Sequence, residues 1–224
     1  MIVNIALDGP SGSGKSTMAK RISKALDIDY IDTGALYRAV GLFVRREGIN
    51  PDDEAAVEKG LGRAQISFHF ENGAQVTCLN GEDVSGLIRS PEISDYASRT
   101  SALPCVRKAL LALQQDFAKT HSLIMDGRDI GTTVLPDAQI KIFLTASAEA
   151  RAERRYKELC ERGEQVSFDE VLADMRQRDE RDSNRAVSPL RRASDAIEVD
   201  TTHLSIEQAY EALLSVIRER TAAL

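Results

Sequence analysis

Residues 2–7, Ile-Val-Asn-Ile-Ala-Leu, form a short, mostly apolar run without alternation, the pattern of a strand buried on both faces of a parallel sheet. Past a Gly/Ser-rich loop, Met18, Ile22, Ala25 and Leu26 share a stripe from which Lys20, Arg21 and Lys24 are excluded, so an amphipathic helix is expected there. Apolar runs at 28–31, 122–125, 140–144 and 196–199 predict further strands, and helical periodicity separates several of them. That alternation predicts an α/β protein, with helices on both faces of a mostly parallel sheet.

Residues 62–84 break the rhythm. The runs at 66–70 and 75–79 alternate, Glu71-Asn72-Gly73 can turn the chain, and Asn80-Gly81 is a strong two-residue hairpin signal before 82–84. A small antiparallel insertion is expected, either a lobe that closes over a substrate or inert decoration. Beyond it, Pro104 opens a helix with Val106, Ala109, Leu110, Leu113 and Phe117 on one broad face. Residues 148–161 read as a charged helix containing Arg151, Arg154, Arg155 and Lys157. Ser167 is positioned to cap the next helix, whose stripe is Phe168, Val171, Leu172 and Met175. The last helix starts at the capping box Ser205-Ile206-Glu207-Gln208 and is expected to pack through Ile206, Ala209, Leu213 and Ile217.

Composition narrows the picture. A chain of 224 residues, 42% hydrophobic, can bury a sizeable core as one domain with a modest insertion. A net charge of −6 argues against a broad nucleic-acid surface and leaves room for a local basic cluster. The cysteines at 78, 105 and 160 have no metal-ligand spacing, and their odd number argues against a disulfide framework. Buried thiols in a reducing cytosol are expected. No run approaches 18 apolar residues and no basic segment precedes an apolar one at the start, so neither a membrane span nor a secretion signal is expected.

Chemistry enters at Gly9-Pro10-Ser11-Gly12-Ser13-Gly14-Lys15-Ser16, a full match to G-x-x-x-x-G-K-[ST] set between the first strand and the first helix. Glycines let the backbone turn its N–H groups inward around phosphate oxygens, and the helix N-terminus adds a favourable field. Lys15 is placed to reach the β- and γ-phosphates and Ser16 to ligate Mg²⁺. Water as acceptor makes such a site a hydrolase, whereas a bound hydroxyl or phosphate makes it a kinase. The chain lacks the [NT]-K-x-D segment that reads guanine.

Three clusters bear on the acceptor. Asp32-Thr33-Gly34-Ala35-Leu36-Tyr37-Arg38 follows the second strand and should face the phosphate loop, with Thr33 as helix cap. Asp126-Gly127-Arg128-Asp129 ends a buried strand, where such charges are costly unless paired or ligand-bound. Asp126 suits Mg²⁺ or its waters and Arg128 a phosphate. At helical spacing Arg178, Asp182 and Arg185 fall on one face, and beside a phosphate loop these arginines suit the charge of a moving phosphoryl group. Internal salt bridges alone also explain that pattern. No nucleophile–base pair is evident, and His69, His121 and His203 read as incidental. A phosphate acceptor, already ionised, needs no strong base.

The blocks at 9–16, 32–38, 126–132 (Asp-Gly-Arg-Asp-Ile-Gly-Thr) and 178–185 (Arg-Asp-Glu-Arg-Asp-Ser-Asn-Arg), with Ser98-Arg99-Thr100-Ser101 and Val106-Arg107, together resemble the bacterial cytidylate kinase family from Ile2 to the last helix. The resemblance implies a three-layer P-loop kinase fold. Its parts would be a central, mostly parallel five-stranded sheet, a nucleotide-monophosphate-binding β insertion at 62–84 within the core segments 1–61 and 85–224, and a short helical lid at 151–163. It implies a cytoplasmic, monomeric enzyme that uses Mg²⁺ and ATP to phosphorylate CMP or dCMP, with no nucleic-acid or membrane partner. The donor would lie on Gly9, Pro10, Ser11, Gly12, Ser13, Gly14, Lys15, Ser16 and Thr17, with metal at Ser16 and Asp126. Thr33, Tyr37, Ser98, Arg107 and Asp129 are implied as pyrimidine-nucleotide contacts, the last three nearest the base. Asp182 is implied at the ribose, and Arg38, Arg128 and Arg185 at the acceptor phosphate. Arg178 would lie between acceptor and donor and Arg155 in the lid, so that Lys15, Arg128, Arg155, Arg178 and Arg185 form the catalytic set. Another small acceptor, or a nucleotide-dependent switch, remains the competing reading.

Overall fold

The computed structural model describes residues 2–222. Its main sheet contains β1 (Asn4–Asp8), β2 (Asp29–Asp32), β6 (Leu123–Gly127), β7 (Ile140–Thr145) and β8 (Ile197–Asp200) in the order β2-β6-β1-β7-β8, and every neighbouring pair is parallel. Alternate residues of β1 feed different cores. Ile5 and Leu7 join Ile22 of α1 (Lys15–Leu26) and Leu213 of α8 (Ile206–Thr221), whereas Ala6 joins Met125, Ile130 and Val134 on the opposite face. That two-sided burial explains the continuous apolar run at the start of the chain.

The strand order reverses at β1, so a crevice opens beyond the carboxyl ends of β1 and its neighbours. Parallel pairing carries β1 to Asp8 opposite Gly127, which lengthens β6 past the apolar run and makes Asp126 a strand residue.

Residues 62–84 form the expected antiparallel sheet of β3 (Ile66–Glu71), β4 (Ala74–Leu79) and β5 (Glu82–Asp83). Both connections are two-residue turns, Asn72-Gly73 and Asn80-Gly81, with φ of 52° and 75° and of 51° and 83°, the positive angles that tight hairpins require. This sheet packs Leu79 and Val84 into a cluster with α2 (Thr33–Arg46), α3 (Glu54–Leu61), α4 (Pro91–Thr100) and α5 (Pro104–Ala118). A smaller cluster joins α6 (Ala148–Glu161) to α7 (Phe168–Asn184) through Ala152, Leu159, Val171 and Met175.

Several local expectations are corrected. Asp32, not Thr33, caps α2, its carboxylate accepting the Ala35 N–H at 2.9 Å. The expected capping box forms at Ser205/Gln208, and Ser167 caps its helix as expected, with Glu170 completing a box there too. Ile206, at the first position of α8, nevertheless turns away from the core and is 61% exposed. Ala25 and Ala109 are also exposed, because each apolar stripe narrows at the helix edge. Only Cys78 is buried; Cys105 is half-buried and Cys160 exposed. Among the described residues no helix is long and apolar enough to cross a membrane.

Candidate active site

The phosphate loop joins β1 to α1. At Gly9 a Cβ would stand 2.0 Å from the Leu144 carbonyl oxygen, so no side chain fits. Gly14, at φ 95°, is the N-cap of α1 without a capping side chain, which leaves the first helical N–H groups for a ligand. Lys15 is buried and donates to Pro10 O at 2.7 Å and to Ser13 Oγ at 3.4 Å. Burial first, and Arg128 second, push its ammonium well below the ordinary lysine value. A charge held in that state gains most from anionic oxygens.

Ser16 Oγ donates to Asp126 Oδ2 at 2.7 Å, and the Tyr30 hydroxyl donates to Asp126 Oδ1 at 3.3 Å. Burial raises Asp126 to about 6, with Asp32 adding to the shift. Among the described residues no three His, Cys, Asp or Glu side chains are grouped as a metal cage. One carboxylate and one hydroxyl beside a phosphate loop suit Mg²⁺, which keeps waters and takes its other oxygens from a nucleotide.

The residues that the sequence implied for the acceptor face the same crevice from α2, α4, α5, the end of β6 and α7. The Thr33 hydroxyl donates to Asp126 O at 2.7 Å, and Arg38 Nη2 donates to Asp32 Oδ2 at 2.8 Å. Arg107, 7% exposed, pairs with Asp129 and donates to Ser101 O at 3.2 Å, and its guanidinium lies 5.4 Å from the centroid of the Tyr37 ring. Arg185 completes the group, 3.4 Å from Asp129 Oδ1. Arg128 Nε reaches Asp182 Oδ2 at 3.1 Å. Burial works to raise the Asp182 carboxyl, but Arg128, Arg178 and Arg185 hold it below its ordinary value. Desolvation and Arg128 lower Arg178 to about 10. Arg38, Arg107 and Arg178 each keep a buried Nε with no protein partner among the described residues, a costly state that an anionic ligand relieves.

Most of these groups border one cleft of about 680 Å³. Of the residues singled out from the sequence, Ser11 to Thr17, Thr33, Tyr37, Arg38, Ser98, Arg107, Asp126, Arg128, Asp129, Arg155, Arg178, Asp182 and Arg185 line it; Gly9 and Pro10 shape the loop from behind. Arg155 faces the cleft while paired with Glu158 at 2.8 Å. Arg151 is an anchor, and Arg154 lines the cleft beside Arg155 while tethered at its tip. Arg151 donates to Ser11 O at 3.0 Å and to both Asp179 carboxylate oxygens, and Arg154 donates to Thr201 O at 2.6 Å.

Sequence reasoning passed over three contributors. Asp8, 4% exposed, accepts the N–H groups of Ile130 and Gly131 at 2.7 and 2.8 Å. It thereby ties the strand that leads into the phosphate loop to the π-helical turn Ile130–Val134 after Asp129. An acid closing an apolar strand was the available signal. Tyr30 holds Asp126 from an adjacent strand, which only the β2–β6 register reveals. Arg181 donates to Ser98 Oγ at 3.0 Å, a contact between elements far apart in the chain.

The family profile described as cytidylate kinase matches residues 5–219. Proteins named cytidylate kinase from Thermosipho melanesiensis, Caldicellulosiruptor bescii and Geobacter sulfurreducens are 49%, 47% and 47% identical to the chain, over 98%, 96% and 98% of it and 99%, 95% and 94% of their own lengths. With a phosphate loop and a cluster of arginines meeting in one cleft, and similarity running over nearly the whole chain, the protein belongs to the cytidylate kinase family.

Proposed function

We propose that this enzyme transfers the γ-phosphoryl group of ATP to CMP or dCMP, giving ADP and CDP or dCDP. The observation that carries the reading is the buried group Arg107–Asp129–Arg185, with Ser98, on the same cleft as Lys15. A cytosine ring offers an amino donor at position 4 and an acceptor at N3. A carboxylate or hydroxyl oxygen suits the first, and a guanidinium suits the second. Uracil presents a carbonyl at position 4, which the Asp129 carboxylate repels.

In the reaction a phosphate oxygen of CMP attacks the γ-phosphorus as the bond to the β–γ bridging oxygen breaks, and ADP leaves. The acceptor oxygen is already ionised, so alignment and charge neutralisation carry the rate. Arg38, Arg128 and Arg185 hold the acceptor phosphate, Asp182 orients Arg128 and takes the ribose, and Tyr37 and Thr33 bound the nucleotide. Backbone N–H groups of Ser11 to Thr17 hold the donor phosphates, on a turn that Gly9 and Pro10 shape. Lys15 exchanges its bond to Pro10 O for phosphate oxygens, while Arg178 and Arg155 meet charge on the transferring group. Ser16 and Asp126 would hold Mg²⁺, which would supply neutralisation of phosphate charge. The reading includes a monomer acting on free nucleotides in the cytoplasm, apart from nucleic acid and membrane. Residues 62–84 act as the acceptor-binding lobe and 151–163 as the lid.

ADP formation measured with ATP, Mg²⁺ and each of CMP, dCMP, UMP, AMP and GMP tests it. CMP and dCMP are expected to lead, and steady hydrolysis without any acceptor would overturn the reading.

A further inference from the structure

The main sheet ends at β2, an edge strand whose outer backbone groups have no neighbouring strand within that sheet. At Asp32 both groups are nevertheless satisfied. The Asp32 N–H donates to Gln75 Oε1 at 2.8 Å, and Gln75 Nε2 donates back to Asp32 O at 3.4 Å. The same Nε2 also donates to Thr77 Oγ1 at 3.2 Å, and Thr77 is buried. Gln75 lies on β4, so a side-chain amide of the small sheet imitates the peptide group that the next strand would supply.

The clasped residue matters to the acceptor side. Asp32 caps α2, and its carboxylate holds Arg38 at 2.8 Å. Its neighbour Thr33 bonds to the Asp126 carbonyl. Among the described residues no strand-to-strand ladder joins the two sheets at this point; the side-chain amide of Gln75 alone supplies both hydrogen bonds to the Asp32 peptide group.

We propose that Gln75 is a positioning residue for the acceptor phosphate site: its amide fixes the Asp32 peptide group, and through Asp32 the guanidinium of Arg38. The inference rests on the reading of Arg38 as an acceptor-phosphate contact. Gln75 itself touches no substrate in this scheme.

Steady-state kinetics of Gln75→Ala and Gln75→Met, with CMP and ATP varied separately, test the proposal, together with thermal unfolding of each variant. Met keeps the stem and cannot hydrogen-bond, so it covers the case in which Ala disturbs packing. Loss of two ordinary hydrogen bonds, carried in full to the acceptor site, corresponds to a rise of about five- to 150-fold in KM for CMP. KM for ATP is expected to stay within about twofold, because the donor loop makes no contact with the clasp. Gln75→Glu keeps an acceptor for the Asp32 N–H but sets a carboxylate against the Asp32 carbonyl, and is expected to be no better than Ala. In the double variant with Arg38→Ala the Gln75 effect should largely vanish, since both act through one guanidinium. An unchanged KM for CMP, equal rises in both KM values, or fully additive losses in the double variant would overturn the inference. Arg38→Ala measured alone separates the two levels: an unchanged KM for CMP there overturns the reading of Arg38, whatever Gln75 does.

Discussion

Asp129 faces Arg107 and Arg185, while Arg128 pairs with Asp182. The partner of Asp129 is thus the Arg107–Arg185 pair, not its neighbour Arg128. Asp129→Asn keeps the volume and removes the negative charge, so it should cost CMP more than UMP and narrow the ratio of their kcat/KM values by at least about tenfold. A proportional fall for both substrates would leave Asp129 as scaffold for the two arginines. At the donor end, Lys15→Ala removes the cation proposed to meet the charge of the transferring group. A loss of about 10²–10³ in kcat, with CMP binding nearly intact, is expected from single-turnover kinetics and CMP titration. Asp8 offers a pH test. Burial raises its carboxyl from 3.8 to about 6 against the pull of its two backbone partners. A raised carboxyl pKa means that the folded state takes up a proton before the unfolded chain does. Its contribution to stability is thus full below about pH 4 and lost as pH rises through about 6. Between pH 7 and pH 5 the wild type should gain roughly 1 kcal/mol relative to Asp8→Asn. Urea unfolding of the nucleotide-free proteins at both pH values measures this, and a constant offset would show that Asp8 does not titrate in that range.

At the scale of elements, α6 is two things in one helix. Its first half is bolted down, Arg151 to the phosphate loop and to Asp179 of α7, Arg154 to Thr201 beyond β8. Its second half carries Arg155 and Glu158 along the cleft. Periodicity located the helix and its charges, but four arginines or lysines in a row of turns look alike in sequence. Which of them is tethered depends on contacts with Ser11, Asp179 and Thr201, residues 28 to 140 positions away. The same limit explains Thr33: a hydroxyl before a helix reads as a cap, yet the neighbouring Asp32 carboxylate takes that role and frees the hydroxyl for Asp126. By contrast, the hairpins were legible because Asn-Gly encodes its own backbone geometry. The split of α6 predicts different phenotypes. Arg151→Ala leaves Asp179 half-buried without its partner and frees the Ser11 carbonyl, so it should weaken ATP binding and lower thermal stability together. Arg155→Ala, at a half-exposed site, should lower kcat by about tenfold or more while leaving the melting temperature nearly unchanged. A stable Arg151→Ala with normal ATP affinity would contradict this division.

For the whole molecule, the number of cationic groups around one cleft sets the dynamics. Arg38, Arg107, Arg128, Arg178 and Arg185 repel one another wherever their carboxylate partners do not intervene, and Arg178 and Arg185 lie below ordinary arginine values for that reason as well as burial. Two bound nucleotides reverse that balance and supply the attraction for closure, which must also expel water before transfer. The sequence marked which segments interrupt the α/β rhythm; it did not show that the small sheet shares its core with α2 to α5. Because of that shared core, residues 66–83 cannot swing alone without exposing Leu79 and Val84, both nearly fully buried. The moving body should therefore take in α3 and α4, with the junction at Asp32 and Thr33 on one side and the loop before α5 on the other. The lid should likewise bend beyond Arg154, not at its first residue. Hydrogen exchange with and without a bisubstrate mimic joining adenosine to cytidine through a phosphate chain distinguishes these units. Protection is expected to rise across 54–100 and 155–167 together, while 148–154 stays unchanged because Arg151 and Arg154 already hold it. Protection gained at 66–83 without 54–61 and 91–100 would mean that the insertion moves as an independent flap, and equal protection in both states would mean that the cleft is closed before substrates arrive.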